Sequence, residues 1–215
     1  MTWLQDHLGD VLDLTVRHIY LAGVPLILGL LIALPLGWLA RRHRGLYPIL
    51  IVGTSLLYTI PSLALFIMLP FLLGTQILDP TNVIVAMTIY TVALLVRTVA
   101  DGLGAVPEAV NQSATAMGYK RGRRFMSVEL PLAVPVISAG LRVAAVSNVS
   151  IVSVAALIGV AQLGSLFTDG FNRAFMEPII VGVISCVLLA LLFDGVIIGV
   201  TRLATPWQRA GKASS

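Results

Sequence analysis

Few side chains in this sequence could do chemistry, and their placement narrows what that chemistry could be. Asp194 and Arg142 are ionisable residues set deep within long apolar stretches. At 1.5 Å per helical residue, Asp194 lies roughly 13 Å from one end of its stretch and Arg142 roughly 15 Å from the same side. An unpaired charge at such depth is expensive, so two readings stand: a structural Arg142–Asp194 ion pair, or a gate facing a watered cavity. Arg97, shallower, competes as a partner for Asp194. Ser147, Asn148, Ser150 and Ser153 follow Arg142 in an otherwise apolar segment. They either line a cavity or path, or supply hydrogen bonds between helices. His7, His18 and His43 are dispersed, and the apolar spans set out below contain no histidine, so no metal site is expected. Cys186 stands alone in an apolar run, which leaves no disulfide, zinc or haem framework. No nucleophile, base and acid recur at one depth, so no catalytic residues are assigned.

The elements that must position these residues follow from composition. Of 215 residues, 58% are apolar, with 14 Lys or Arg against 10 Asp or Glu. A soluble domain carries about a quarter of its residues as charges, so a soluble enzyme is excluded. Charge-free runs cover 18–40, 45–78, 80–96, 143–168 and 178–193. A bilayer core of ~30 Å takes about 20 helical residues, so these runs predict five transmembrane helices. The spans are placed at about 19–39, 47–73, 82–100, 133–157 and 179–202 of a single domain, 1–215. The run 45–78 admits one long tilted helix with an apolar outer loop or two tight segments; Pro70, Gly74 and Pro80 at its far end favour one helix and a loop. Pro25, Pro35, Pro61 and Pro70 imply kinks or local breaks. Gly29, Ala33 and Gly37, and again Gly195 and Gly199, form ridges that let helices approach closely.

Charge also predicts orientation. Basic residues cluster at Arg41, Arg42 and Arg44, at Lys120, Arg121, Arg123 and Arg124, and at Arg202, Arg209 and Lys212. With the N-terminus outside and the C-terminus inside, all three clusters and Arg97 face the cytoplasm, while only Arg17 and Arg173 lie outside. The first 17 residues hold Asp6, Asp10 and Asp13, the wrong charge for a signal peptide. Nothing calls for a nucleic-acid partner; the partner that composition demands is membrane lipid.

The inner segment 101–132 is expected to form a compact knob. Pro107 and Glu108 suit a first helical turn, and Gly118 stands where a left-handed residue would end the helix. A second short basic helix is expected over about 120–129, with Pro131 turning the chain into the fourth span. The outer segment 158–178, with Phe167, Phe171 and Phe175 spaced by four, suits a short amphipathic helix at the membrane surface.

Gly118, then Val128, then Leu130 and Pro131 resemble the loop of permease subunits in ABC-type importers. The family pattern runs Glu-Ala-Ala, three residues, Gly, nine residues, Ile, one residue, Leu-Pro. Here Gln112, Ser113 and Ala114 stand where Glu-Ala-Ala would, and Val128 replaces Ile. The resemblance implies an all-α, type I importer permease fold in the inner (plasma) membrane. It assigns Gln112, Ser113, Ala114, Gly118, Val128, Leu130 and Pro131 to a coupling segment that docks on a separate ATP-binding subunit. AALIGVAQLGSLFTDGFNR at 155–173 and LFDGVIIGVTRLATP at 192–206 are similar to importers of glycine betaine, choline or carnitine. This chain has Ala161 and Gln162 where those relatives tend to have Gly-Gly.

No phosphate-cradling Gly-rich loop ending in Gly-Lys-Ser or Gly-Lys-Thr is present, so no cofactor is expected in this chain. By the resemblance, ATP and Mg are used by the partner ATPase, a substrate-binding protein delivers solute on the outer side, and a second permease subunit completes the pathway. A permease for methionine or another amino acid is the main rival. A membrane-embedded enzyme and an ATP-independent channel are the readings of other classes.

Overall fold

The computed structural model describes residues 2–43 and 45–207. Arg44, Arg209 and Lys212, members of two of the basic clusters, lie outside the described residues. Every regular element among the described residues is helical. A short α1 (Thr2–Asp6) leads into α2 (Leu8–Arg42), then α3 (Leu46–Tyr58) and α4 (Ser62–Leu73). α5 (Pro80–Gly104) is followed by α6 (Glu108–Ala116) and α7 (Arg121–Arg124). A π-turn (Phe125–Glu129) joins α7 to α8 (Leu130–Val152), which tightens into a 3-10 turn (Ser153–Ile158). α9 (Ser165–Asn172) and α10 (Met176–Ala204) complete the chain.

Four of these units are long and apolar enough to cross a membrane: α2, α5, the run Arg121–Ile158, and α10. α3 and α4 pass the same test only as a pair, bent by 100° at their junction. A single helix over 47–73 therefore does not form. Pro61 has no N–H to continue the ladder, takes an extended ψ of 130°, and disfavours helical geometry at Ile60 before it. Pro25, Pro35, Pro70 and Pro135 are instead carried inside their helices.

The turn expected at Pro131 is also absent. The chain runs as helix from Arg121 to Ile158. The widened π-turn just before Pro131, closed by Leu130 N–H on Phe125 O, makes room where the proline ring would meet a preceding carbonyl. α5 begins at Asp79, whose carboxylate accepts from Thr81 N–H at 2.9 Å, with Pro80 in the first turn. That backbone bond holds the Asp79 carboxyl below its ordinary range, so the cap is present at neutral pH and lost as pH falls through its folded value.

α5 is the most buried of the long helices and α10 the least. α2 and α8 approach α5 closely because glycine removes the Cβ at the crossings. A Cβ on Gly29 would fall on the Thr91 side chain, one on Gly37 would stand 2.6 Å from Val99 Cγ1, and one on Gly140 would fall on Thr98. Ala33 between the first two is fully buried. The second ridge behaves differently: a Cβ on Gly195 or Gly199 meets no atom of the described residues within 4 Å. The exposed faces are apolar, with Leu203 at 79% and Phe71 at 81%, as a lipid solvent requires.

Replacing Gly29 with Leu should destabilise the detergent-solubilised protein by ~1–3 kcal/mol, the usual effect of overpacking. The same change at Gly195 should leave the thermal midpoint unshifted. Equal midpoints for the two variants would refute the α2–α5 crossing.

Candidate functional site

Segment 101–132 is organised by one buried small residue and one bridging arginine. α6 starts after Pro107, whose ψ of 135° breaks it from α5. It ends in a Schellman motif: Tyr119 N–H donates to Ala114 O at 3.1 Å and Gly118 N–H to Thr115 O at 2.9 Å. Gly118 has φ 81°, which accounts for glycine there, since a Cβ would meet open space. Gln112 and Ser113 are exposed, Ala114 is buried, and Val128, Leu130 and Pro131 are half-buried on the continuous helix behind. Arg124 ties the two parts together: Nε pairs with Glu129 Oε1 at 2.7 Å and Nη1 donates to Thr115 Oγ1 at 2.8 Å. Arg123 lies over the Tyr119 ring and Arg42 over the Trp38 ring, at 5.1 and 5.2 Å. Between the end of α2 and this segment is a polar cleft of about 580 Å³, lined by arginines on both sides.

Arg142 on α8 and Asp194 on α10 face each other in a two-pronged contact, Nε to Oδ1 and Nη2 to Oδ2, the latter at 3.0 Å. Two parallel charge-assisted bonds fix orientation as well as charge. The side chains are 45% and 24% exposed, so the pair sits at the surface of the single chain. Arg97 turns instead to Asp101 on its own helix, at 3.7 Å.

The polar stretch of α8 divides between inside and outside. Asn148 is buried and bonds across two neighbouring helices: its Nδ2 donates to Ala22 O of α2 at 3.2 Å and to Thr91 Oγ1 of α5 at 3.0 Å. In this conformation Asn148 holds helices together and lines no surface. Ser150 is exposed, Ser147 and Ser153 are half-buried, and Ser153 Oγ donates to Ser150 O at 2.6 Å.

Sequence reasoning missed a second buried network. α2 extends well beyond 19–39 and carries His18 with it, fully buried. A membrane-length helix of this chain therefore does contain a histidine. Its ring nitrogens lie 3.1 Å from Gln162 Oε1 and 3.0 Å from Val149 O. Gln162, also fully buried, donates through Nε2 to Ser153 O at 3.1 Å and accepts the Gly164 N–H. The residue that departs from Gly-Gly thus ties the loop after α8 to α2. The departure itself was the visible signal; its partner was not.

At the same end, α9 folds back on α10. Gly182 accommodates the Phe167 ring, with Phe167 Cε1 2.6 Å from a notional Cβ. Phe171 points outward, 81% exposed, and Phe175 lies past the helix end, edge-on to Trp3 at 6.5 Å. His7 stacks on Trp3, while Cys186 has no disulfide partner. No group of three or more potential metal ligands occurs among the described residues.

For the Arg142–Asp194 contact, D194A should lower the folded yield several-fold, and adding R142A should restore much of it, because the lone charge is worse than none. Strictly additive losses in the double variant would count against coupling.

Residues 26–206 match the family model for the binding-protein-dependent transport system inner membrane component. The chain is 31% identical to the osmoprotectant import permease protein OsmW of Salmonella typhimurium over 95% of this chain and 96% of that one. It is 32% identical to the choline transport system permease protein OpuBB of Bacillus subtilis, over 95% and 93%. It is 31% identical to the glycine betaine/carnitine/choline transport system permease protein OpuCB of the same organism, over 96% and 94%. In fold it is similar to the inward-facing MetNI methionine ABC transporter, with a TM-score of 0.83 at 20% identity over 93% of this chain and 98% of that one. With this match over most of its length, the chain belongs to the binding-protein-dependent transport system inner membrane components, and is a multi-pass permease subunit of an ABC-type importer.

Proposed function

We propose that this chain passes a quaternary-ammonium osmoprotectant, such as glycine betaine, choline or carnitine, across the inner membrane by alternating access. Its 31–32% identity, over nearly its full length, to permeases named for osmoprotectants, choline or glycine betaine/carnitine/choline carries this reading. The likeness to a methionine transporter is one of fold at 20% identity, so it weighs less on the solute. Five spans are assigned, with α3 and α4 counted as one broken span, the N-terminus outside and the C-terminus inside. This orientation puts the arginines of segment 101–132 and the end of α2 on the cytoplasmic side.

In this reading a separate ATPase subunit, using ATP and Mg, engages Gln112, Ser113, Ala114 and Gly118. Val128, Leu130 and Pro131 connect that contact to the long helix behind. The Arg124 bridge to Glu129 and Thr115 supports rigid transmission, since α6 cannot move without the helix it is pinned to. A substrate-binding protein delivers solute at the α9 end. A second permease subunit supplies the other wall, and Ser147, Ser150 and Ser153 border the path, with Asn148 bracing the helix that carries them. The exposed Arg142–Asp194 pair suits a position shielded from lipid by that second subunit or by water.

Two experiments test this. Calorimetry on the binding protein that assembles with this chain should show binding of glycine betaine, choline or carnitine; binding of an amino acid alone would remove the osmoprotectant assignment. Gly118→Leu should abolish uptake and solute-stimulated ATP hydrolysis while the protein still inserts at normal levels, because only glycine readily holds φ 81°. Normal coupled uptake in that variant would dismiss the coupling role.

A further inference from the structure

The break between α3 and α4 places an unusual surface at mid-depth. Tyr90 packs there, and it lies ten residues into α5, about 15 Å at 1.5 Å per residue. That is half of a ~30 Å hydrocarbon core. Ser55, Tyr58 and Thr59 are exposed at this break, within a stretch from 45 to 78 that carries no charge. Outward-facing hydroxyls gathered at one break of an apolar helix pair suit a surface beside a solute path.

The polarity of the surface is one-sided. Ser55 Oγ donates to Ile51 O and Thr59 Oγ1 to Leu56 O, each at 2.7 Å. Those hydroxyl protons are committed to the main chain, which leaves oxygen lone pairs toward the outside. The C-terminal, negative end of α3 falls at Tyr58. The Tyr58 ring meets Tyr90 at right angles, with centroids 5.7 Å apart, and Tyr90 is itself locked by its hydroxyl on Ile60 O. Such an edge contact covers at most one face of Tyr58, whose residue remains 38% exposed.

We infer that the α3–α4 break is a cation site for a quaternary ammonium group, with the free face of Tyr58 as its receptor and the Ser55 and Thr59 oxygens beside it. A divalent metal ion favours carboxylate oxygens, and neither helix has one. A methylated ammonium spreads its charge, cannot donate N–H bonds, and is held by aromatic faces and carbonyl dipoles. The inference rests on the reading of this chain as an importer of quaternary-ammonium solutes, and adds where within the chain that group is recognised.

The test uses the assembled transporter, this chain with its ATPase and binding protein, in proteoliposomes supplied with radiolabelled choline or glycine betaine. Y58F and Y58W should keep uptake within about twofold, while Y58L and Y58M should lower it about tenfold, as expected for a desolvated cation–π contact. Assembly of each variant is checked by size-exclusion, and the two aliphatic variants guard against one failing to assemble. Wild-type uptake in Y58L or Y58M would overturn the inference alone. Loss in Y58F as deep as in Y58L would also overturn it, because the hydroxyl and not the ring face would then be responsible. If the wild-type transporter takes up neither probe, the osmoprotectant reading falls and this inference with it.

Discussion

The close approach of α2 and α8 to α5 holds the helices of this chain together. Within a bilayer, apolar side chains gain nothing by leaving lipid for one another, so helices are held by dense packing and by hydrogen bonds. Both meet here at one level. Gly29 makes room for Thr91, and Thr91 accepts from Asn148, which also reaches Ala22 O. Gly37 against Val99 and Gly140 against Thr98 extend the same crossings along α5. A larger residue at any of these glycines would separate the backbones and lengthen the hydrogen bonds that join them.

Attached to this core is a single helical run of 38 residues, Arg121–Ile158. One end carries the Arg124 bridge to α6. The other ends at Gly159, with φ 88°, beside the loop that Gln162 fastens to His18. The two segments richest in non-membrane sequence are therefore joined by one helix, not by a chain of loops. A continuous helix of this length holds the two segments at a fixed separation. α3, α4 and α10 pack around the core with broad apolar faces open, which suits lipid and a second subunit.

Much of this was legible in the residues alone. The apolar runs located the long helices, Gly118 marked the end of α6, and the Gly-to-Leu-Pro spacing pointed to the family. What was illegible has physical causes. Pro61 breaks its helix while Pro25 and Pro35 do not, because a proline can be carried where neighbours re-satisfy the freed carbonyl, and that depends on packing. Pro131 suggests a turn in sequence because the widened π-turn that absorbs it has no simple sequence signature. The two glycine ridges look alike in sequence, yet one is filled by α5 and the other has no atom of the described residues within 4 Å of an added Cβ.

By itself, the sequence determined which stretches avoid water and where the few charges sit. Both are local properties: the bilayer penalises each charge independently, and helical periodicity is complete within a few turns. Which residue partners which is set by packing between helices. His18 meets Gln162 across 144 positions, Asn148 meets Thr91 across 57, and Arg142 meets Asp194 across 52. Such pairings depend on crossing points and rotations of whole helices, which no local pattern encodes. Asn148 reaches Ala22 O and Thr91 Oγ1 only because α2 and α5 both pass beside it.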